Sequence, residues 1–503
     1  MPAMFCRCQC KMCRVPGIQH CCARPNCGVP RGGECLPARA ARPDGREVAG
    51  ALQRLRADAG SHSPSVAQIE RAIPGLVQVD ACFLSNPYAT DLVMTRLRVI
   101  PAAQLERMVA HYPSQAPVIA TLLGTHLGLP SDCLHLANGA CEVIQALLAD
   151  RPGPVLLSVP TFSAYYEFAR GPVIEHRLDP HQDFGLDLDV LEALIERHAP
   201  ETVVIINPNN PDGGLIPHAA LVDFLARVHD RVGQIIVDES FSHFTTDATP
   251  ATVAGLVTEL PHLVVVNSLS KSHGIAGLRL GYAVLCAERA RALRTSTLWN
   301  LNAYAEWFCG LLADPNYQDG YDRARRRYVR DIRTFFTELS AIPRGKAYPS
   351  AANFALLELE RPAADVAAAL LAQHGVYVRD CADKRGLLNG DHFIRVAART
   401  GPENRRIVEA LQSVLARPRA GSPVFLRRDR ICRRSGGEPV GGAATARDPG
   451  VGQGGGQGVL GAPAGAVRRR DEARVHRGQG VNGRGDDRLE CGAAEVQAAH
   501  EGV

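Results

Sequence analysis

The sequence predicts an α/β protein whose main sheet is mostly parallel. Short runs that are rich in Val, Ile and Leu alternate along the chain with amphipathic stretches of helical periodicity. Strands that are apolar at every position are typical of a parallel sheet with helices on both faces. The chain has 503 residues, of which 46% are apolar, so it is long enough for two domains with separate cores.

The elements of the main sheet follow one another in a regular order. The strand candidates are CLHLA (133–137), PVLLSV (154–159), TVVII (202–206), QIIVD (234–238), LVVVN (263–267) and GYAVL (281–285). Amphipathic stretches lie between them and predict helices, namely CEVIQALLAD (141–150), LDVLEALIERH (188–198) and HAALVDFLARVHD (218–230).

The pattern after residue 317 predicts a second, smaller α/β domain. A long charged helix pattern is followed by the strand candidate NFALLEL (353–359) and by a final helix, PENRRIVEALQSVLA (402–416). We therefore divide the chain into an N-terminal arm (67–98), a large domain (99–317) and a small C-terminal domain (318–417).

The two ends of the chain have a different composition. Residues 1–66 are rich in Cys and Arg, and the spacing in CRCQCKMC (6–13) matches no standard zinc module, so we predict a disordered extension without a metal site. Residues 418–503 are rich in Gly and Arg, and they have too few apolar residues to offset the entropy of ordering. We predict a disordered tail there.

The charge balance excludes a general attraction to polyanions. Lys and Arg number 56 against 52 Asp and Glu, for a formal net charge of +4. The chain has no apolar run of roughly 18 residues and no apolar stretch typical of a signal peptide at its start. We expect a cytoplasmic protein that binds neither nucleic acid nor membrane.

Polar residues follow three of the predicted strands. NPNNPDGG (207–214) follows TVVII, Asp238 ends QIIVD, and SLSKSHGIAGLRLGY (268–282) follows LVVVN. Each alone is an ordinary turn, cap or glycine loop. Ligands of open α/β sheets bind at these strand ends, and the three segments together carry what pyridoxal 5′-phosphate (PLP) needs: an amine, a carboxylate, a donor for the ring oxygen and donors for a phosphate.

The lysine distribution supports this hypothesis. Lys occurs only at Lys11, Lys271, Lys346 and Lys384, and Lys271 lies in the third of these segments. The three segments resemble the signatures of fold-type-I, class I/II PLP-dependent aminotransferases, and among them most closely the histidinol-phosphate aminotransferases and the related threonine-phosphate decarboxylases. The resemblance extends from about residue 85 to 416. It implies a PLP-binding large domain with a mostly parallel seven-stranded sheet between helices, together with the smaller C-terminal α/β domain.

The resemblance assigns the reacting groups around the cofactor. Lys271 would form the Schiff base with PLP and then move the proton of the substrate Cα. Asp238 would keep the pyridine nitrogen protonated, and Asn210 would donate to the ring oxygen. Many relatives carry a Tyr three residues after the Asp, whereas this chain has Phe241 there.

The resemblance also assigns a phosphate site. Ser268, Ser270 and Arg279 would bind the cofactor phosphate together with Ala140 and Cys141 at the start of the helix after NGACE (138–142). The N-terminus of a helix attracts an anion because its backbone N–H groups point towards it.

Four further residues complete the assignments that the resemblance implies. Phe162 in PTF would stack on the cofactor ring, although a core aromatic is the alternative. Tyr112 would reach the cofactor phosphate of a neighbouring subunit, which implies a homodimer. Arg395 in HFIRVAART would bind the substrate α-carboxylate. Arg379 in YVRDC would reach a distal phosphate of the substrate, although a surface Arg is the alternative.

Amino transfer is the expected reaction, because aminotransferases are the larger and more diverse class. We expect a PLP-dependent aminotransferase that moves an amino group between an L-amino acid or phosphorylated amine and a 2-oxo acid. A decarboxylase of the threonine-phosphate type is the alternative, because it shares nearly all of these residues. RDCADKRGL (379–387) and VAART (396–400) resemble the threonine-phosphate decarboxylases as much as the histidinol-phosphate aminotransferases. A non-catalytic PLP-fold binding protein is a second alternative. Against it, residues 1–66 show no helix-turn-helix pattern, and Lys271, Asp238, Asn210 and Arg395 occur together.

Overall fold

The computed structural model describes residues 45–59, 62–246, 248–296 and 301–416. The Cys-rich segment CRCQCKMC (6–13) and the Gly/Arg-rich tail (418–503) lie outside the described residues, as do residues 1–44. In the described part of the chain, no helix is long and apolar enough to span a membrane.

The described elements alternate between strands and helices along most of the chain. The strands are β1 (Val79–Ala81), β2 (Leu134–Ala137), β3 (Val155–Val159), β4 (Val173–Arg177), β5 (Thr202–Ile206), β6 (Gln234–Asp238), β7 (Leu263–Ser268), β8 (Gly281–Leu285), β9 (Gly345–Ala347), β10 (Phe354–Leu359), β11 (Val376–Asp380) and β12 (Phe393–Ala397). The helices are α1 (Gly45–Ala59), α2 (Val66–Ala72), α3 (Pro87–Leu97), α4 (Ala102–Ala110), α5 (Ala116–Leu127), α6 (Ala140–Asp150), α7 (Ala164–Glu167), α8 (Leu188–His198), α9 (His218–Val228), α10 (Leu269–Ser272), α11 (Ala287–Ser296), α12 (Ala303–Leu311), α13 (Pro315–Ser340), α14 (Ala363–Ala369) and α15 (Gly401–Ala416).

The larger sheet has the order β2-β8-β7-β6-β5-β3-β4 in the described residues. Neighbouring strands from β7 to β4 are parallel, and only β8 runs antiparallel to both of its neighbours. The prediction of a mostly parallel, seven-stranded sheet is therefore confirmed. Each strand candidate of this sheet is a strand, and the three predicted helices between them are α6, α8 and α9.

Both faces of this sheet are buried and apolar, as the continuous apolar runs predicted. In β5, Val203 and Ile205 pack into one hydrophobic cluster with α5, α8 and α9. Val204 and Ile206 point to the other face, where they join α6 and α11. The seventh strand, β4, was not predicted because its sequence, VIEHR, is only half-buried and carries charged residues at the sheet edge.

A second sheet has the order β1-β11-β12-β10-β9 in the described residues. β1 comes from the N-terminal arm and pairs in parallel with β11, so this part of the arm belongs to the smaller sheet. The predicted strand NFALLEL is β10, and the predicted last helix is α15. The pairing of β11 with β12 sets Arg379 directly opposite Arg395.

The prediction of a disordered extension over residues 1–66 is wrong for residues 45–59. This segment forms α1, whose apolar positions Val48, Ala51, Leu52 and Leu55 follow a helical spacing. Val48 and Leu52 pack in one cluster with Tyr377 of β11, and Arg56 pairs with Asp380. The Cys- and Arg-rich composition of the whole segment concealed this short apolar stripe.

A buried histidine without a hydrogen-bond partner predicts that the folded chain loses stability in acid. His135 in β2 is buried, and neither ring nitrogen has a hydrogen-bond partner in the described part of the chain. Burial lowers the pKa of His135 to about 4, from an ordinary value of 6.5. As the pH falls, the unfolded chain therefore binds a proton at this residue before the folded chain does. The stability that comes from burying the neutral imidazole is fully present above pH 6.5 and is lost as the pH falls towards 4.

We expect His135→Leu to reduce this acid sensitivity. Between pH 7 and pH 4.5, the free energy of unfolding should fall less in the variant than in the parent chain. The difference should be about 1.4 kcal/mol for each unit by which the pKa of His135 in the folded chain lies below its ordinary value. Urea titrations at several pH values measure the difference. The exposed His181, changed to Leu, is the matched control and should keep the parent's pH dependence. An equal loss in His135→Leu and the parent would contradict the prediction.

Candidate active site

The loops after β5, β6 and β7 meet at one edge of the larger sheet and line a cavity of about 480 Å³. β11 and β12 of the smaller sheet contribute its opposite wall. The cavity brings together every site residue predicted from the sequence except Tyr112, namely Ala140, Cys141, Phe162, Asn210, Asp238, Ser268, Ser270, Lys271, Arg279, Arg379 and Arg395.

One end of the cavity is built to hold an anion. Gly139 precedes α6 with a φ of 96°, which favours glycine, and a Cβ there would collide with the guanidinium of Arg279. Arg279 therefore lies against the start of α6, where no side chain of the described residues caps the first N–H groups. Ser268 and Ser270 line the same cavity. The Ser270 hydroxyl is buried without a hydrogen-bond partner in the described residues, so this donor set fits a phosphate.

A carboxylate at the end of β6 is fixed in orientation. Asp238 is buried, and its Oδ1 accepts a hydrogen bond of 2.9 Å from the backbone N–H of Ser240. Its Oδ2 accepts one of 2.8 Å from the hydroxyl of Tyr165. Burial raises the pKa of Asp238 from its ordinary value. A protonated ring nitrogen beside Asp238 would supply the positive charge that favours the ionised carboxylate.

The lysine of the third segment lies in α10, directly after β7. Its backbone carbonyl accepts a hydrogen bond of 3.0 Å from the backbone N–H of Asn86, which links α10 to the residue before α3. Burial, together with the neighbouring charge of Arg395, lowers the pKa of Lys271 to about 8. A larger fraction of Lys271 is therefore the neutral amine, which is the form that attacks a carbonyl carbon.

The wall opposite the strand ends carries a buried guanidinium. Arg395 donates to Asn210 Oδ1 at 2.7 Å and to the carbonyl of Cys82 at 3.1 Å, and its Nε has no partner in the described residues. Because the Asn210 oxygen accepts from Arg395, the Asn210 amide group is oriented with its N–H donors directed elsewhere. This arrangement fits an amide that donates to a ring oxygen and a guanidinium that binds a carboxylate.

The second predicted arginine of this wall is already paired with a carboxylate. Arg379 donates from Nη2 to both carboxylate oxygens of Asp383, at 2.7 and 2.5 Å, and from Nη1 to the Ser63 hydroxyl at 3.2 Å. Arg379 is 5% exposed, so the alternative of a surface Arg is wrong.

The predicted aromatic residues take different positions. Phe162 lines the cavity and packs edge-on against Tyr165, with ring centroids 6.5 Å apart. Phe241 also lines the cavity and packs edge-on against Phe354 at 5.0 Å. Tyr112 lies outside the cavity of its own chain and is 88% exposed.

Three residues of the site were not predicted from the sequence. Tyr165 holds Asp238, and nothing in PTFSAYY (160–166) signalled that contact. His62 and Lys384 line the cavity, and the Nζ of Lys384 donates to the Ser163 hydroxyl at 2.8 Å. Lys384 could have been found, because Lys is scarce in this chain and RDCADKRGL (379–387) had already been singled out.

Comparison with known proteins decides the family. The profile described as aminotransferase class I and II matches residues 110–411, which is more than half of the chain. The chain belongs to this family. Its cofactor is PLP, and the donor set around Arg279 and Ser270, the fixed Asp238 and the half-buried Lys271 fit its phosphate, ring nitrogen and aldehyde.

Individual relatives show which members of the family this chain resembles. An L-serine phosphate decarboxylase of Campylobacter jejuni is 38% identical over 375 residues, covering 72% of this chain and 95% of the relative. The structure of a decarboxylase from Sulfurospirillum multivorans aligns with a TM-score of 0.69 and 37% identity, covering 74% of this chain and 96% of that one. A histidinol-phosphate aminotransferase of Stutzerimonas stutzeri is 34% identical over 299 residues, covering 58% of this chain and 78% of the relative.

These relatives overturn the expected reaction. We expected amino transfer between an amino acid or phosphorylated amine and a 2-oxo acid, and this expectation is wrong. The relatives that match nearly their whole length at 37–38% identity are decarboxylases, whereas the aminotransferase matches a shorter part. The sequence motifs did not separate the reactions because both use the same groups around the cofactor.

The contact between Tyr165 and Asp238 predicts an effect on cofactor binding. In Tyr165→Phe, Asp238 Oδ2 loses the hydroxyl donor that favours its ionised form, so its attraction for the ring nitrogen weakens. We expect the affinity of the apoprotein for PLP to fall about 10-fold, since a hydrogen bond to a charged group is at stake. Fluorescence titration of the apoprotein with PLP measures it.

Tyr348→Phe is the matched control for this experiment. The Tyr348 hydroxyl also donates to a carboxylate, Glu358, at 2.7 Å, but it lies outside the cavity. Its removal should leave the PLP affinity unchanged. Equal PLP affinities for Tyr165→Phe and the parent protein would show that Tyr165 does not support Asp238 in binding the ring.

Proposed function

We propose that this protein is a PLP-dependent decarboxylase of a phosphorylated L-amino acid, with L-serine phosphate as the substrate. The observation that carries the proposal is the 38% identity to an L-serine phosphate decarboxylase over 95% of its length. The cavity supports it, because Arg395 and Lys384 offer positive charge beyond what the cofactor uses.

The residues of the larger sheet would hold the cofactor. Arg279, Ser268, Ser270 and the backbone N–H groups at Ala140 and Cys141 would bind its phosphate. Asp238 would pair with the ring nitrogen, with its orientation set by Tyr165. Asn210 would donate to the ring oxygen, and Phe162 would cover one face of the ring.

PLP supplies an electron sink for the electron pair that remains when Cα loses its carboxyl group. Arg395 would bind the substrate carboxylate and orient the bond from Cα to it, and Arg395 is itself held by Asn210 and Cys82. Lys271 is the amine placed to deliver a proton to Cα after carbon dioxide leaves. The lowered pKa of Lys271 suits both acceptance and return of a proton near neutral pH.

The reaction is tested by incubating the PLP-loaded protein with L-serine phosphate alone. We expect carbon dioxide and ethanolamine phosphate in equal amounts, over many turnovers and without a 2-oxo acid acceptor. Mass spectrometry of the products and a coupled carbon dioxide assay measure both. Lys271→Ala is the control and should form neither product. A 2-oxo acid in place of carbon dioxide would contradict the proposal.

We also propose that the protein is a homodimer in which Tyr112 reaches the cofactor phosphate of the partner subunit. Exposed apolar residues concentrate in the stretch around α4 and α5, namely Val99, Leu105, Val109, Tyr112 and Val118. An exposed apolar stretch of this kind marks an association surface. The position of Tyr112 outside the cavity of its own chain is compatible with a role in the partner's cavity.

A charge within this surface should separate the subunits. Val109 is 75% exposed, and we expect Val109→Asp to shift sedimentation from dimer to monomer and to weaken PLP binding several-fold, since a buried unpaired charge is costly. Val190 is 44% exposed outside this stretch, and Val190→Asp should remain a dimer. A parent protein that sediments as a monomer would contradict the proposed assembly.

A further inference from the structure

Three basic side chains on the smaller-sheet wall of the cavity differ in how their charge is compensated. Arg379 forms a two-pronged ion pair with Asp383. Arg395 donates only to neutral oxygens, those of Asn210 and Cys82. Lys384 donates to the neutral hydroxyl of Ser163 at 2.8 Å. Within the described residues, neither Arg395 nor Lys384 forms an ion pair with a carboxylate, so two positive charges face the cavity uncompensated.

The surroundings of Lys384 are unfavourable for an ammonium group. The side chain is buried, with 7% of the residue exposed. Burial, together with the nearby charges of Arg379 and Arg395, lowers the pKa of Lys384 to about 8. One hydroxyl does not replace the hydration that a buried ammonium loses, so an anionic ligand would supply the missing charge.

The local fold keeps the neighbouring carboxylate away from Lys384. Lys384 follows Asp383 in the loop after β11, and its backbone N–H donates to the carbonyl of Cys381 at 2.9 Å, which closes a turn. The Asp383 side chain is engaged by Arg379 on β11. Ser163, the partner of Lys384, directly follows Phe162 at the cofactor side of the cavity. The ammonium is therefore held inside the cavity rather than neutralised within its own loop.

We infer that Lys384 binds the distal phosphate of the substrate and is the residue that selects phosphorylated over unphosphorylated amino acids. The inference rests on the proposed function, and it matches the two uncompensated charges to the two anionic groups of the substrate. Arg395 takes the α-carboxylate, and Lys384 takes the phosphate. Arg379 becomes a positioning residue that withdraws Asp383 from Lys384.

The test compares binding of two ligands to three variants loaded with PLP. The ligands are L-serine phosphate and L-serine, and binding is followed by the change in cofactor absorbance. Lys384→Met removes the charge at similar length, Lys384→Arg keeps it, and Lys346→Met is the matched control. Lys346 lies outside the cavity, where it pairs with Asp183 at 2.9 Å.

We expect Lys384→Met to weaken binding of L-serine phosphate about 10- to 100-fold, as for loss of a charge-assisted hydrogen bond. Binding of L-serine should change by less than about 3-fold on the same scale. Lys384→Arg should retain most of the preference, and Lys346→Met should behave as the parent. The effect should fall on KM for L-serine phosphate more than on kcat.

Equal losses for both ligands in Lys384→Met would overturn the inference, because the residue would then be structural. An unchanged preference of Lys384→Met for L-serine phosphate over L-serine would overturn it as well. Binding by Lys384→Arg and the unfolding temperatures of the variants exclude a folding defect as the cause. The proposed reaction fails separately. If the parent binds L-serine phosphate in preference to L-serine but releases no carbon dioxide, the proposed decarboxylation is wrong. The role of Lys384 is then still tested by the binding data alone.

Discussion

The site depends on how positive charge is compensated inside the cavity. Lys271, Arg279, Arg379, Lys384 and Arg395 all line it, whereas Asp238 and Asp383 are the carboxylates in contact with its polar groups. Such a concentration of like charge is unfavourable in a medium of low polarity unless anions enter. The phosphate of PLP and the two anionic groups of the proposed substrate would compensate three of these positive charges. Binding of the ligands would therefore reduce the repulsion between the positive side chains.

The two sheets contribute different parts of this arrangement. The larger sheet ends in the groups that suit the cofactor, and its buried strands leave these loops little freedom to move apart. The smaller sheet presents Arg395 and Arg379 from paired positions on neighbouring strands. The hydrogen bond from Arg395 to Asn210 joins the two parts, because Asn210 belongs to the loop after β5. A group proposed for the substrate thus positions a group proposed for the cofactor.

The sequence predicts those features that depend on local pattern. The buried strands of the larger sheet were recognised from continuous apolar runs, and the residues at their ends followed from the direction of parallel strands. The edge strand β4 and helix α1 were missed because one is polar and the other lies in a segment of atypical composition. Tyr165 and Lys384 act through contacts between residues far apart in sequence, Asp238 and Ser163, which no local pattern encodes. Amino transfer and decarboxylation use the same groups, so the preference for decarboxylation comes from the similarity to relatives and not from the sequence motifs.

The most direct test of the account is the fate of the hydrogens at Cα when the reaction is run in deuterium oxide. Nuclear magnetic resonance of the product of L-serine phosphate measures it. The account predicts ethanolamine phosphate that carries one deuterium on the carbon that held the carboxyl group and keeps the original Cα hydrogen. Loss of the original Cα hydrogen, with the carboxyl carbon retained in the product, would contradict it.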